Sequence, residues 1–179
     1  MLPRNSIHNG DCLDIMKLID DESIDLICAD LPYGTTRAAF DSVIDLKLLW
    51  EQYNRIIKPN GAILLFAQTP FDKVLGASNI SMLKYEWIWE KTQATGFLNA
   101  KKMPMKAHEN ILVFYKKAPT YNPQKTTGHK PINSYTKRAT VQNKTELYGD
   151  VKVDVSGGGE TDRYPSCLLY TSPSPRDLS

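Results

Sequence analysis

Ile24-Asp25-Leu26-Ile27-Cys28-Ala29-Asp30-Leu31-Pro32-Tyr33-Gly34 is the stretch on which the reading of this chain turns. A short apolar run with β-branched content leads directly into a carboxylate, a proline, an aromatic and a glycine. The run is too short for a globular helix. Acidic residues precede it and Pro32 and Gly34 follow it, so it predicts a buried strand over 24–29. In open α/β sheets, ligands bind beyond the carboxyl ends of strands, and Asp30 to Tyr33 fall there.

The flanks extend the pattern. Asn5 to Asn9 predicts a short strand, and Leu13, Met16 and Leu18 among polar neighbours predict a short helix. Asp45 to Ile57 places Leu46, Leu49, Trp50, Tyr53, Ile56 and Ile57 at helical spacing, with Asp45 as N-cap. Pro59, Asn60 and Gly61 end that helix, and Ala62 to Ala67 predicts a second buried strand. Pro70 to Ala77 reads as a helix with Pro70 near its first turn. Tyr85 to Glu90 alternates, with Tyr85, Trp87 and Trp89 on one side. Ile111 to Tyr115 is a continuous apolar run. Strand–helix–strand order with apolar strands predicts an α/β domain with a largely parallel sheet, covered on both faces, its last pair antiparallel at the edge.

Bulk properties narrow the class. The 179 residues suit one domain of ordinary size, and 41% hydrophobic with 23% charged residues is a soluble globular profile. No apolar run approaches the roughly 20 residues of a membrane helix, and the first residues lack a signal peptide's apolar core. Cys12, Cys28 and Cys167 are odd in number and scattered. They offer neither a disulfide framework nor metal-ligand spacing, so a reducing cytoplasm and no metal are expected. Cys12 and Cys28 are expected to be small buried apolar residues.

The net charge of +2 hides an uneven distribution. Residues 1–90 carry eight Lys or Arg against thirteen Asp or Glu, whereas residues 91–144 carry eleven against Glu109 alone. An acidic block followed by a basic one points the middle of the chain toward a polyanion. A solvated lysine-rich loop accounts for the charge equally well.

Asp30 to Tyr33 suit a particular chemistry. An exocyclic base amine such as adenine N6 is a poor nucleophile, because its lone pair is delocalised into the ring. Acceptors on its hydrogens help localise that pair. Asp30 supplies one through its side chain. The backbone carbonyl of Leu31 supplies another, held extended by Pro32, and Tyr33 stacks on the base. A base inside a duplex must first be flipped out. Taken alone, the four residues fit better a strand-to-loop turn in which Asp30 bonds local amides and Pro32-Tyr33 pack.

Four stretches of the chain turn the balance. Asn9-Gly10-Asp11-Cys12-Leu13, Ser23 to Gly34, Leu49-Trp50 through Lys58-Pro59-Asn60-Gly61-Ala62-Ile63, and the pair Tyr85 to Lys91 and His108 to Lys116 follow one another in a recognisable order. Together the chain resembles the β-class DNA amino-methyltransferases, adenine-N6 or cytosine-N4, of bacterial and phage modification systems, over about residues 5–117. The resemblance implies a Rossmann-like sheet that uses S-adenosylmethionine. It implies Asp30, Leu31, Pro32 and Tyr33 as the catalytic tetrapeptide, and Asp11, Cys12 and Asp30 on the cofactor side. It implies double-stranded DNA with a flipped base as substrate. An initial Asp rather than Ser in the tetrapeptide favours adenine.

Two features depart from the family pattern. Leu31 stands where a first proline is usual, which a carbonyl acceptor tolerates. The Phe-x-Gly-x-Gly cofactor loop, which in this family follows target recognition, is not found within these residues. Gly157 to Gly159 lack a strand before and a helix after them, and read as a linker. The expectation is therefore a sheet incomplete on its C-terminal side, a chain binding the cofactor weakly and inactive alone. Residues 1–117 form the catalytic half, 118–166 begin the target-recognition region, and 167–179, Ser/Pro-rich at the end, read as a non-native tail. Lys101, Lys102 and Lys106, with Phe97 and Asn99, are expected to face DNA phosphates beside the flipped base; the competing reading is a solvated loop with Met103 and Met105 packed inward. Two other functions stay open: cytosine-N4 methylation, and a noncatalytic DNA-binding remnant using the basic segment only. Neither recognition sequence nor oligomeric state follows from these residues.

Overall fold

The structure, a computed structural model, describes residues 2–3, 5–34, 41–131, 135–136 and 156–170. The described chain divides into two compact units, residues 1–121 with 166–179, and residues 122–165.

The first unit is a mixed five-stranded sheet with helices. Asp11 caps α1 (Cys12–Met16) by accepting from the Leu13 amide at 2.8 Å. Strand β1 spans Ile24–Asp30. Helix α2 (Leu46–Ile56) starts at the expected cap: Asp45 accepts from the amides of Lys47 and Leu48. Strand β2 runs Ile57–Ala67, helix α3 Phe71–Ser78, β3 Leu83–Thr95 and β4 Lys106–Phe114. A last strand, β7 (Leu168–Tyr170), comes from the stretch expected to be a tail and pairs parallel with β3. Residues 171–179 of that stretch lie outside the described residues. No strand forms over Asn5 to Asn9.

The sheet order is β1-β2-β4-β3-β7. β1 and β2 are parallel, while β4 is antiparallel to both β2 and β3. The late pair is antiparallel as expected, but β4 inserts beside β2 rather than staying at the edge. The sheet is therefore mixed, not largely parallel. Pro59, Asn60 and Gly61 do not separate helix from strand. They form an irregularity inside β2, across which pairing jumps from Ile24–Ile57 to Leu26–Ala62. Gly61 is needed there, since a Cβ would stand 2.9 Å from the Asp25 backbone oxygen and 2.7 Å from Ile57 Cδ1.

One face of the sheet holds the core. Ile57, Ile63, Leu65 and Ala67 alternate inward along β2 and meet Met16 of α1, Leu49, Trp50 and Tyr53 of α2 and Leu75 of α3. Trp50 tilts against Phe114 at 4.9 Å and donates its indole N–H to Ser78 Oγ at 2.7 Å. The opposite face carries an aromatic stripe, in which Phe66 meets Trp89 edge-on at 5.9 Å and Tyr85 meets Trp87 at 6.0 Å.

Coverage of both faces is thus not observed among the described residues: the three helices share one core cluster. β1 also has a free outer edge there. This overturns the expectation that Cys12 and Cys28 are buried. Both are exposed, because Cys28 stands on that edge strand and Cys12 opens α1 on its solvent side. For the same reason Leu26 remains 53% exposed.

In the second unit, Tyr135–Thr136 (β5) pairs antiparallel with Ser156–Gly157 (β6), and Thr126 bridges Arg163. Gly157 is thus part of a short strand, not of a linker. Lys125 binds Asp162 at 2.7 Å and lies over the Tyr164 ring at 4.3 Å. Much of the expected target-recognition region, residues 132–134 and 137–155, lies outside the described residues.

Candidate active site at the carboxyl edge of the sheet

Parallel pairing aligns the ends of β1 and β2, with Asp30 opposite Phe66. Antiparallel pairing brings the start of β4 to the same edge, with Asn110 opposite Ala67. The turn between β3 and β4 therefore stands at the edge where β1 delivers Asp30. Lys106, at the head of β4, donates to the Gln68 side chain just past β2 and confirms the adjacency.

Asp30 is exposed at the strand end, while the Leu31 side chain turns into the core at 7% exposure. That alternation anchors the loop from below and leaves the carboxylate outside. Pro32 follows, half-buried. Tyr33 folds back so that its hydroxyl donates to Asp30 Oδ1 at 2.6 Å. Burial, then the hydrogen bond and charge of Asp30, then Glu109, push the Tyr33 phenol well above its usual range. It is a neutral donor at any physiological pH. The Gly34 amide donates to Asp41 Oδ1 at 2.8 Å and turns the chain away.

Sequence reasoning missed three residues behind this loop. Phe71, at the start of α3, stacks on the Tyr33 ring with centroids 5.5 Å apart and planes 27° apart. Its neighbour Asp72 is 2% exposed. Asn110 of β4, also buried, donates to Asp72 Oδ2 at 2.8 Å, and Lys73 pairs with the same oxygen at 2.9 Å. Asp72 Oδ1 is buried with no hydrogen-bond partner. Burial raises the Asp72 pKa, but the bonds and charge of Lys73 and the bond from Asn110 outweigh it and hold the carboxyl below its usual range. A polar pair in an otherwise apolar segment was the available signal.

The remaining expected site residues are placed as follows. Asp11 and Cys12 are exposed at the head of α1. Lys101 and Lys102 are exposed on the β3–β4 turn, with Asn99, and Phe97 is 78% exposed. Lys106 is half-buried against Gln68 rather than projecting with them. Met103 and Met105 are 58% and 38% exposed, so the turn does not pack its methionines inward. Among the described residues no group of three His, Cys, Asp or Glu side chains is placed to hold a metal ion, and no helix is long and apolar enough to cross a membrane.

Comparison with known proteins gives the arrangement a context. A type II methyltransferase of Moraxella bovis, M1.MboII, is 28% identical over 134 residues, covering 68% of this chain and 50% of that protein. The type II methyltransferase M.BamHI of Bacillus amyloliquefaciens is 30% identical over 70 residues, 34% of this chain and 16% of that one. The chain thus spans half or less of the length of these relatives. Among solved structures, the cytosine-N4-specific PvuII DNA methyltransferase aligns over 93% of this chain and 56% of its own, at 14% identity and a TM-score of 0.54. The likeness to that structure establishes a Rossmann-like α/β methyltransferase fold. The family model for the N6/N4 DNA methylases matches residues 24–167, from the first residue of β1 to the threshold of β7, and the chain belongs to that family.

Proposed function

We propose that this chain is the base-binding half of a DNA methyltransferase that moves a methyl group from S-adenosylmethionine to adenine N6. The observation that carries the reading is the exposed Asp30 carboxylate at the end of β1, oriented by the Tyr33 hydroxyl at 2.6 Å. Asp30 accepts one amine hydrogen of an extruded base and the Leu31 carbonyl accepts the other. The nitrogen lone pair is then localised and aimed away from the ring. The same carboxylate stabilises positive charge as it develops on the nitrogen. The Tyr33 ring, backed by Phe71, offers a firm stacking surface.

The cofactor supplies an electrophilic methyl group and asks for no protein nucleophile, only near-attack alignment. The exposed carboxylates of Asp11 and Asp30 suit its cationic and hydroxyl donor groups, with Cys12 next to Asp11 in sequence. A Gly-rich loop for its methionine half is not among these residues, so the 179-residue chain should bind it only weakly by calorimetry. The substrate is duplex DNA with its target base flipped out, gripped on the phosphates by Lys101 and Lys102. A cytoplasmic enzyme of a bacterial or phage modification system fits this chemistry. The leading Asp of the tetrapeptide favours adenine; cytosine N4, the target of the PvuII enzyme, is the alternative.

The decisive experiment joins this chain to the C-terminal half of a relative that carries the loop. It is expressed in a methylation-deficient bacterium, and the genomic nucleosides are weighed. N6-methyladenine is expected, and its loss on Asp30→Ala. N4-methylcytosine would move the target to the alternative. Neither modified base, from a folded and cofactor-binding fusion, would leave only a noncatalytic remnant.

A further inference from the structure

The β3–β4 turn is built to project apolar side chains into solvent. Gly96 adopts φ +91°, a backbone state that favours glycine, and starts a 3-10 turn over Phe97–Asn99. The turn is closed by a ladder of backbone bonds: Asn99 N–H to Gly96 O at 2.9 Å, Ala100 to Phe97 at 3.0 Å, Lys102 to Asn99 at 2.8 Å and Met103 to Asn99 at 3.0 Å. On this ordered knuckle Leu98 is 97% exposed, Phe97 78% and Met103 58%. Single exposed apolar residues need no explanation, but three within seven residues of one hydrogen-bonded turn mark a contact surface.

Charge identifies the occupant. Lys101 and Lys102 follow the apolar tip directly, and among residues 91–144 the only acid, Glu109, is engaged by Lys91 at 2.5 Å. An apolar tip beside paired lysines is the composition of side chains that enter a base stack while cations hold the flanking phosphates. Its place fits as well, because the turn stands at the sheet edge that carries Asp30. A base extruded toward Asp30 leaves a hole in the duplex on the side from which it departed.

We infer that the β3–β4 knuckle is a wedge for duplex DNA, with Leu98 as its point, filling the gap that the extruded base leaves. This rests on the DNA-methylating reading above and adds to it a residue and a role. The wedge separates two tasks on one turn: Lys101 and Lys102 bind any duplex, and Leu98 selects a duplex that is open at one base.

The test uses the 179-residue chain without cofactor. Fluorescence anisotropy compares a labelled intact duplex with the same duplex carrying one abasic site. The wedge predicts roughly tenfold tighter binding to the abasic duplex, the scale of burying one leucine side chain. Leu98→Ser should bring the ratio close to one while leaving intact-duplex affinity and its salt dependence unchanged. At 97% exposure the substitution has no packing to disturb. A wild-type ratio near one, or a preference that survives Leu98→Ser, overturns the wedge but leaves the methylation reading standing. Concentration-dependent dimers abolished by Leu98→Ser would assign the tip to a second copy of the chain and overturn it too. Failure to bind either duplex at low salt removes both the wedge and the DNA-facing role of this turn.

Discussion

The Tyr33 hydroxyl donates to Asp30 Oδ1 at 2.6 Å, so the proposed catalytic carboxylate is already engaged by the residue proposed to stack on its substrate. The raised phenol pKa keeps that donor neutral, and a neutral donor fixes the carboxylate without withdrawing its charge. Asp30 is thereby aimed before a base arrives, with Oδ2 as its second acceptor oxygen. In the fusion enzyme, Tyr33→Phe should keep the stacking ring and lower kcat by about tenfold, the worth of one hydrogen bond to a charged group. Asp30→Ala should cost at least 100-fold, on the scale of losing a preorganised electrostatic partner. Steady-state kinetics of both variants checks this; equal losses in the two would sink the division of roles.

Asp72 and Asn110 join α3 to β4 directly behind the Phe71–Tyr33 stack. Asn110→Ala would leave Asp72 Oδ2 with the largely exposed Lys73 and a long bond from Thr69 Oγ1 at 3.3 Å, without its short buried amide donor. A buried acceptor deprived of its donor costs about 1–3 kcal/mol. Urea unfolding should show that loss. Asn110→Asp makes a sharper case. Two buried carboxylates facing each other cannot both ionise cheaply, so its stability should fall at neutral pH and recover as pH is lowered. A loss that ignores pH would mean the pair does not interact as drawn.

How much of this was legible beforehand depends on the range of the interaction. The cap at Asp45, the strand ending at Asp30 and the helix beginning after Pro70 are set by neighbours in sequence, and they stand where residue chemistry placed them. The insertion of β4 beside β2 depends on contacts 43 to 51 residues apart and leaves no local mark. The same holds for Phe71 on Tyr33 and Asn110 on Asp72. Cys28 misled because an apolar strand is expected to be covered on both sides, and β1 has an open edge among the described residues. Leu31 shows the reverse: its place in the core explains why an apolar residue is acceptable between Asp30 and Pro32.

Tyr53 supplies a pH signature of the fold. It is 6% exposed on α2, and burial, with a lesser contribution from the Cys12 thiolate, pushes its phenol up to about 12. An unfolded tyrosine ionises near pH ~10. The folded form therefore holds its proton over a range in which the unfolded form releases it. That stability is complete below pH ~10 and is lost as pH climbs toward the folded value, about 2–3 kcal/mol in all. Tyr53→Phe should flatten this alkaline loss in urea titrations between pH ~9 and ~12. An unchanged slope would mean that Tyr53 is solvated.

Lys101 and Lys102 give the reading of the basic segment a quantitative form. Both are exposed, and among the described residues neither is tied to a carboxylate in the way that Lys91 is tied to Glu109. Each lysine that neutralises one phosphate releases condensed counterions and adds about 0.9 to the steepness of log affinity against log salt. The double variant Lys101→Ala/Lys102→Ala should therefore flatten that slope by about 2 and weaken binding most at low salt. Lys106→Ala should change it less, because its ammonium is spent on Gln68 at the sheet edge. Anisotropy on one intact duplex between 50 and 200 mM salt measures all three slopes. If the double variant kept the wild-type slope, these lysines would be solvent-facing only, and other cations would have to meet the DNA.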